Sequence, residues 1–294
     1  MKKLYTTVLI IVVSFFVLYS CSDPQDELTA VPKISIHSAG FGNPSSPDFH
    51  SKYFVENGWQ LKNCIKCHGS NYTGGTTGSS CVTCHTQSDG PEACNTCHGD
   101  FSDPTNIAPP RDVMGNIATT AKGVGAHQTH TIGNTRTAAM GCYDCHTADV
   151  TEGEKYVFSH IGQLPAEILF SGLGNKTGNA NYDFTSLQCS NTYCHGNFEF
   201  LKSESSHTIG YVADKMEGNK FNPVWNVVDG TQAKCGTCHG ELDASGNLVT
   251  AVPKGHLPSD LINCVNCHFG IVDAQGNVTD KNKHINGERN VFGE

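Results

Sequence analysis

The sequence predicts a loop-rich chain organised by bound groups rather than by a large side-chain core, with short helices, a few β-hairpins and little regular secondary structure. Three observations carry this expectation. Hydrophobic residues make up only 37% of the 294 residues, below the about 45–50% of packed domains, a norm that also counts glycine. Long apolar periodicity of helical or strand type is scarce. Cysteine and histidine are equally abundant at 15 each, beside 31 glycines. The formal net charge of −9 argues against nucleic acid as a partner, since a phosphate-binding surface needs a basic excess.

The chain opens with Lys2 and Lys3, followed by an almost wholly apolar run from Leu4 to Tyr19. This is a signal-peptide pattern, too short for the roughly 20 apolar residues of a spanning helix. Leu18-Tyr19-Ser20-Cys21 resembles the lipobox of bacterial lipoproteins, with Tyr19 as a departure from it. Residues 1–20 therefore read as a signal peptide, Cys21 as a lipidated N-terminus and residues 21–36 as a polar tether. An uncleaved anchor with an incidental cysteine is the alternative. Either reading places the remainder outside the cytoplasm and attached to a membrane, on the periplasmic face or at the cell surface.

The other cysteines fall into seven motifs. Cys-x-x-Cys-His occurs at Cys64/Cys67/His68, Cys81/Cys84/His85, Cys94/Cys97/His98, Cys142/Cys145/His146, Cys235/Cys238/His239 and Cys264/Cys267/His268. A seventh, Cys189/Cys194/His195, has four intervening residues. Two thiols about one helical turn apart reach the two vinyl groups of one haem, and the next residue then lies under the ring to ligate iron. Zinc ribbons also use Cys-x-x-Cys pairs, but zinc does not explain a histidine after every second cysteine. At 15 histidines in 294 residues, seven such coincidences have odds of about one in a billion. A disulfide framework fails the same test. At Cys189 the extra residues must bulge out for both sulfurs to meet one haem; attachment through Cys194 alone is the alternative.

Three stretches carry a family resemblance: Gly125-Ala126-His127-Gln128-Thr129-His130 ahead of Cys142, Cys189 through Gly196, and Gln232 through Gly240. They resemble multihaem c-type cytochrome lipoproteins of metal-reducing and related bacteria that carry Cys-x4-Cys-His followed by Cys-x-x-Cys-His. The likeness runs from about residue 37 to 287. It implies a haem-organised multihaem cytochrome c with seven covalently bound haems c.

Seven histidines are proximal, leaving His37, His50, His127, His130, His160, His207, His256 and His284. Seven irons with two axial histidines each need seven of these eight. His127 and His130, at i and i+3, share a helical face and suit two adjacent haems. His160 resembles a ligand position of the family. Two turn-forming repeats, Asp243 to Asn247 before His256 and Asp273 to Asn277 before His284, read as hairpins that bring the chain back over the preceding haem. His37, His50, His127, His130, His160, His256 and His284 are thus the distal candidates, and His207 the spare. Which iron each serves is open at this stage.

The first three motifs form a dense group, and Asp103 through Pro110 has breaker composition,. Residues 37–103 therefore read as a trihaem lobe and 111–294 as a tetrahaem lobe. A chain of this size has a radius of gyration of about 19 Å, so seven haems sharing its volume lie roughly 20 Å apart centre to centre, which brings ring edges within tunnelling range. Electron transfer is the leading expectation, with no catalytic residue. The expected partners are quinol-linked or outer-membrane cytochromes, or extracellular acceptors. A multihaem reductase with one open iron and a subunit of a polymeric cytochrome filament are the alternatives.

Overall fold

A computed structural model describes residues 35–146, 165–259 and 261–293. Residues 1–34, with the signal segment, Cys21 and most of the tether, lie outside the described residues, as does His160. The chain divides into two compact units, residues 1–53 and 54–294. The described part of the first is a run of tight turns from Ser38 to Phe49, where Phe41 N–H donates to Ser38 and Ser46 N–H to Asn43. His50 is tied to Phe41 twice, through its backbone N–H at 2.9 Å and its ring Nδ1 at 3.1 Å.

Regular structure is sparse, as expected. The helices are α1 (His50–Glu56), α2 (Lys62–His68), α3 (His127–Thr131) and α4 (Leu261–Cys267). Three antiparallel hairpins complete it: β1 (Asn181–Asp183) with β2 (Gln188–Ser190), β3 (Glu199–Leu201) with β4 (Lys215–Glu217), and β5 (Glu241–Leu242) with β6 (Leu248–Thr250). The Asp243 turn forms as the sequence predicts. The Asp243 carboxylate accepts from the backbone N–H of Ser245 and Asn247, an Asx-type turn. Asp273 accepts in the same way from Gln275 and Asn277, but there the flanking strands shrink to a single bridge between Val272 and Val278.

The side-chain core is small. Among the described residues the buried apolar side chains are Leu61, Tyr72, Ala93, Val124, Leu187, Tyr193, Tyr211 and Ile271. The largest that are fully buried are Val124 and Asn95, and one of these is polar. Much of what packs is backbone on backbone, through glycine. A Cβ on Gly196 (φ +90°) would strike the Cys238 carbonyl oxygen, and one on Gly218 would strike the Gly196 carbonyl.

Asn219 seals the same junction. Its backbone N–H donates to Cys238 at 2.9 Å, and its side-chain amide reaches the carbonyls of Gly236, Thr237 and Gly240 at 3.0, 3.2 and 3.0 Å. Removing that amide leaves half-buried carbonyls unsatisfied, at a cost of about 1–3 kcal/mol. Asn219→Ala is accordingly expected to lower the thermal stability of the holo-protein by that amount, read from its melting curve; an unchanged Tm would show that the carbonyls find water instead.

Candidate haem sites

Local backbone geometry differs among the motifs. The first lies wholly on α2, where Cys64 and Cys67 at i and i+3 share a face,, and Gly69 at φ +81° turns the chain away directly after His68. Single 3₁₀ turns hold Cys81–Thr83 and Cys142–Asp144. Cys94 and Cys235 begin plain turns, and Cys264 and Cys267 lie on α4. In the four-spacer motif Cys189 sits on β2, opposite Tyr182. The chain then turns at Asn191 (φ 56°) into the 3₁₀ turn Tyr193–His195. All fourteen motif cysteines are free of disulfides, which leaves their thiols available for thioether links.

Most of the described motif and candidate distal histidines share a tautomer. Nδ1 lies against a backbone carbonyl in His68 (Ser79), His98 (Ile107), His146 (Glu167) and His268 (Asn290), at 2.8, 2.8, 2.9 and 2.8 Å, and in His239 (Ala251) at 2.5 Å. Among the distal candidates the same holds for His127 (Val124), His130 (Ala126) and His284 (Arg136), at 2.9, 2.9 and 2.8 Å, and for His256 (Leu257) at 2.6 Å. A carbonyl only accepts, so each Nδ1 carries the hydrogen and each Nε2 keeps its lone pair for a metal. His195 differs: its Nδ1 is buried without a hydrogen-bond partner. Burial pushes His127 and His195 down to about 4 and lowers His130, His239, His256 and His284. These rings stay neutral, the ligating form. Burial also pushes the Cys145 and Cys194 thiols up to about 12.

Four imidazole pairs have nearly one separation. Ring centres lie 6.2 Å apart for His127 and His146, and 6.3 Å apart for His130 and His195, His239 and His284, and His256 and His268. Two imidazoles on opposite sides of one metal, each with a metal–nitrogen bond of about 2 Å, have centres about 6.3 Å apart. Contact packing has no reason to repeat that value four times, with interplanar angles of 14°, 72°, 68° and 33°. The donor set therefore fits haem iron. A cleft of about 380 Å³ also opens beside Cys142, lined by Ile107, Thr131, Ile132 and Met140 among others.

Sequence spacing did not anticipate how the last two pairs interlace. The Gly-Asn turns read as bringing the chain back over the preceding haem, with the iron that each histidine serves left open. His256 instead faces His268 of the following motif, and His284 reaches back to His239. The cause is tertiary. The Arg136 carbonyl takes the His284 Nδ1–H, while the Arg136 guanidinium donates to the Ala233 carbonyl at 2.9 Å, two residues before Cys235. Arg136 and Trp225, which contact these histidines, carry no signal in the motif spacing. In the first unit His37 stacks on Phe41 at 4.1 Å. His85 is edge-on to Phe101 at 5.6 Å and His207 packs against Phe292 at 5.0 Å.

Residues 188–239, spanning Cys189/Cys194/His195 and Cys235/Cys238/His239, match the family described as the Geobacter CxxxxCH...CXXCH motif. That segment is the stretch in which Gly196, Gly218 and Asn219 press one motif onto the other, so the CxxxxCH...CXXCH pairing corresponds to a packed backbone junction. The motif indicates covalently bound haem c and a multihaem c-type cytochrome. No curated protein and no solved structure matches the chain. Among the described residues no helix is long and apolar enough to cross a membrane.

Proposed function

We propose that the chain is an electron carrier with seven covalently attached haems c, each iron closed by two histidines, relaying electrons between redox partners outside the cytoplasm. The observation that carries this reading is the set of four imidazole pairs at one metal-bridging separation. His127 and His146, His130 and His195, His284 and His239, and His256 and His268 are then axial pairs. With His207 as the spare, His37, His50 and His160 are the candidates for the irons of His68, His85 and His98. When bound, haem c supplies iron that passes single electrons by cycling between its ferric and ferrous states.

The chain's own residues do the rest. Paired thiols attach the group, backbone carbonyls set imidazole orientation, and two histidines close both axial positions. A closed iron offers no coordination site to a substrate, which favours electron transfer over reduction chemistry. Because His127 and His130 both sit on α3, one short helix supplies ligands to two irons and fixes them as neighbours. Lipid on Cys21 would hold the protein at a membrane, with quinol-linked or outer-membrane cytochromes, or extracellular acceptors, as partners.

Intact mass spectrometry of protein from its native host tests the reading. Seven haem additions, with lipid on Cys21, are expected. Six would count against the seven-haem reading and point at Cys189/Cys194, and none would overturn the proposal outright. A strong high-spin ferric EPR signal in the native protein would mark an open iron and turn the reading towards a multihaem reductase.

A further inference from the structure

Between the two α3 histidines lies an indole that the motifs do not account for. Trp225 stacks on His130, with ring centres 5.9 Å apart and planes 10° apart, and meets His127 edge-on at 4.7 Å and 88°. Both are favourable aromatic geometries. One imidazole plane is nearly parallel to the indole and the other nearly perpendicular to it, so the two are nearly perpendicular to each other. The indole is itself fixed at several points. Its Nε1–H donates to the Lys122 carbonyl at 2.7 Å, its backbone N–H to the Leu187 carbonyl at 2.7 Å, and the neighbouring Asn226 amide to the Thr120 carbonyl at 2.8 Å.

The chain makes room for this contact. Gly125 has φ +45°, and a Cβ there would collide with Trp225 Nε1. Glycine two residues before His127 thus serves both a left-handed turn and the seat of the indole. Each imidazole thus has the indole beside it and a hydrogen bond at Nδ1, to Val124 for His127 and to Ala126 for His130.

We propose that Trp225 is a positioning residue that locks the distal imidazoles of two neighbouring haems, so that one iron has near-parallel axial planes and the other near-perpendicular ones. The two angles are 14° for His127 with His146 and 72° for His130 with His195. This rests on the axial pairing proposed above. Axial-plane angle controls the splitting of the iron d orbitals. Near-parallel imidazoles give an ordinary rhombic low-spin ferric EPR spectrum, and near-perpendicular ones a spectrum with a single large g value. One indole thereby makes two adjacent irons electronically distinct without any change of ligand.

The test uses holo-protein carrying Trp225→Leu, Trp225→Phe or Gly125→Ala, each first checked for haem number by intact mass and then studied by low-temperature EPR and redox titration. Trp225→Leu is expected to keep every haem and to lose or shift one iron's worth of the large-g signal, with a change in the potential of that iron. Trp225→Phe, which keeps an aromatic face, should retain most of the signal. Gly125→Ala should act in the direction of Trp225→Leu by displacing the indole. Unchanged spectra and potentials in Trp225→Leu with all haems present would overturn the positioning role. Wild-type protein with fewer than seven haems would instead count against the proposed function, so the two failures are distinguishable.

Discussion

Produced where thioether attachment does not occur, the chain is expected to have no cooperative fold. The reason lies in what is buried. Eight apolar side chains are buried among the described residues, far too few to offset the ordering of a chain of this length. Nor can local structure stand alone. The helices run five to seven residues, against the about 12–15 at which an isolated helix becomes marginal. The sheets are two-stranded hairpins, which are also marginal in water. What remains is attachment. In the proposed holo-protein two thioethers would tie each motif to a rigid ring, and an imidazole–metal–imidazole bridge such as His130 to His195 or His239 to His284 would join segments distant in sequence. Such links restrict the unfolded chain as a disulfide does and couple metal binding to folding. The haem-free chain should therefore give a coil-like far-UV CD spectrum, no sharp thermal transition and rapid amide exchange, while the holo-protein melts cooperatively. A sharp transition with protected amides in the haem-free chain would refute this and reveal a core beyond the eight residues.

Features set by local covalent requirements could be read directly. Thioether chemistry demands its cysteines a few residues apart, so all seven motifs are visible as spacing, and so is the i, i+3 pair that α3 carries. The turn at Asp243 was equally legible, because Asp, Gly and Asn each act on the backbone within five residues,. Strand extent was not. Asp273 builds the same turn, yet only one bridge follows it, since the flanking segments are claimed by other contacts; Thr279 N–H, for instance, donates to Ile271 at 2.7 Å. The partner of each distal histidine was hidden for a different reason. Iron ligation demands only that two imidazoles meet in space, and sequence separation carries no trace of that. His256 and His284 both stand out in the sequence as candidate ligands, but the carbonyl of Arg136 holds the His284 ring where it points. Trp225 belongs to the same class, its contacts with Lys122 and α3 being set across about a hundred residues of chain.

Replacing His284 by alanine is expected to open the iron carried by His239, not the one carried by His268, and His256→Ala should do the reverse. Each single variant should show one iron's worth of high-spin ferric signal by EPR, which alone does not say which iron opened. The assignment comes from combining variants. With Cys264→Ser and Cys267→Ser the last motif holds no haem, so adding His256→Ala should produce no further high-spin signal, whereas adding His284→Ala still should. With Cys235→Ser and Cys238→Ser the pattern should invert. Non-additivity of this kind reports that two residues act on one group. The physical case for the crossed arrangement is that each histidine is held from outside its own repeat. Arg136 orients His284 and grips Ala233 beside Cys235. His256 forms a β-bridge with Tyr211, and the next residue, Leu257, donates its N–H to Gly210 at 2.7 Å. Uncrossing the pair would break both sets of contacts, so a direct pairing of His256 with His239 would require a different course for residues 210–212 and 136 as well. The opposite epistasis, with His284→Ala silent in the background that lacks the last haem, would establish that course and discard the interlaced one.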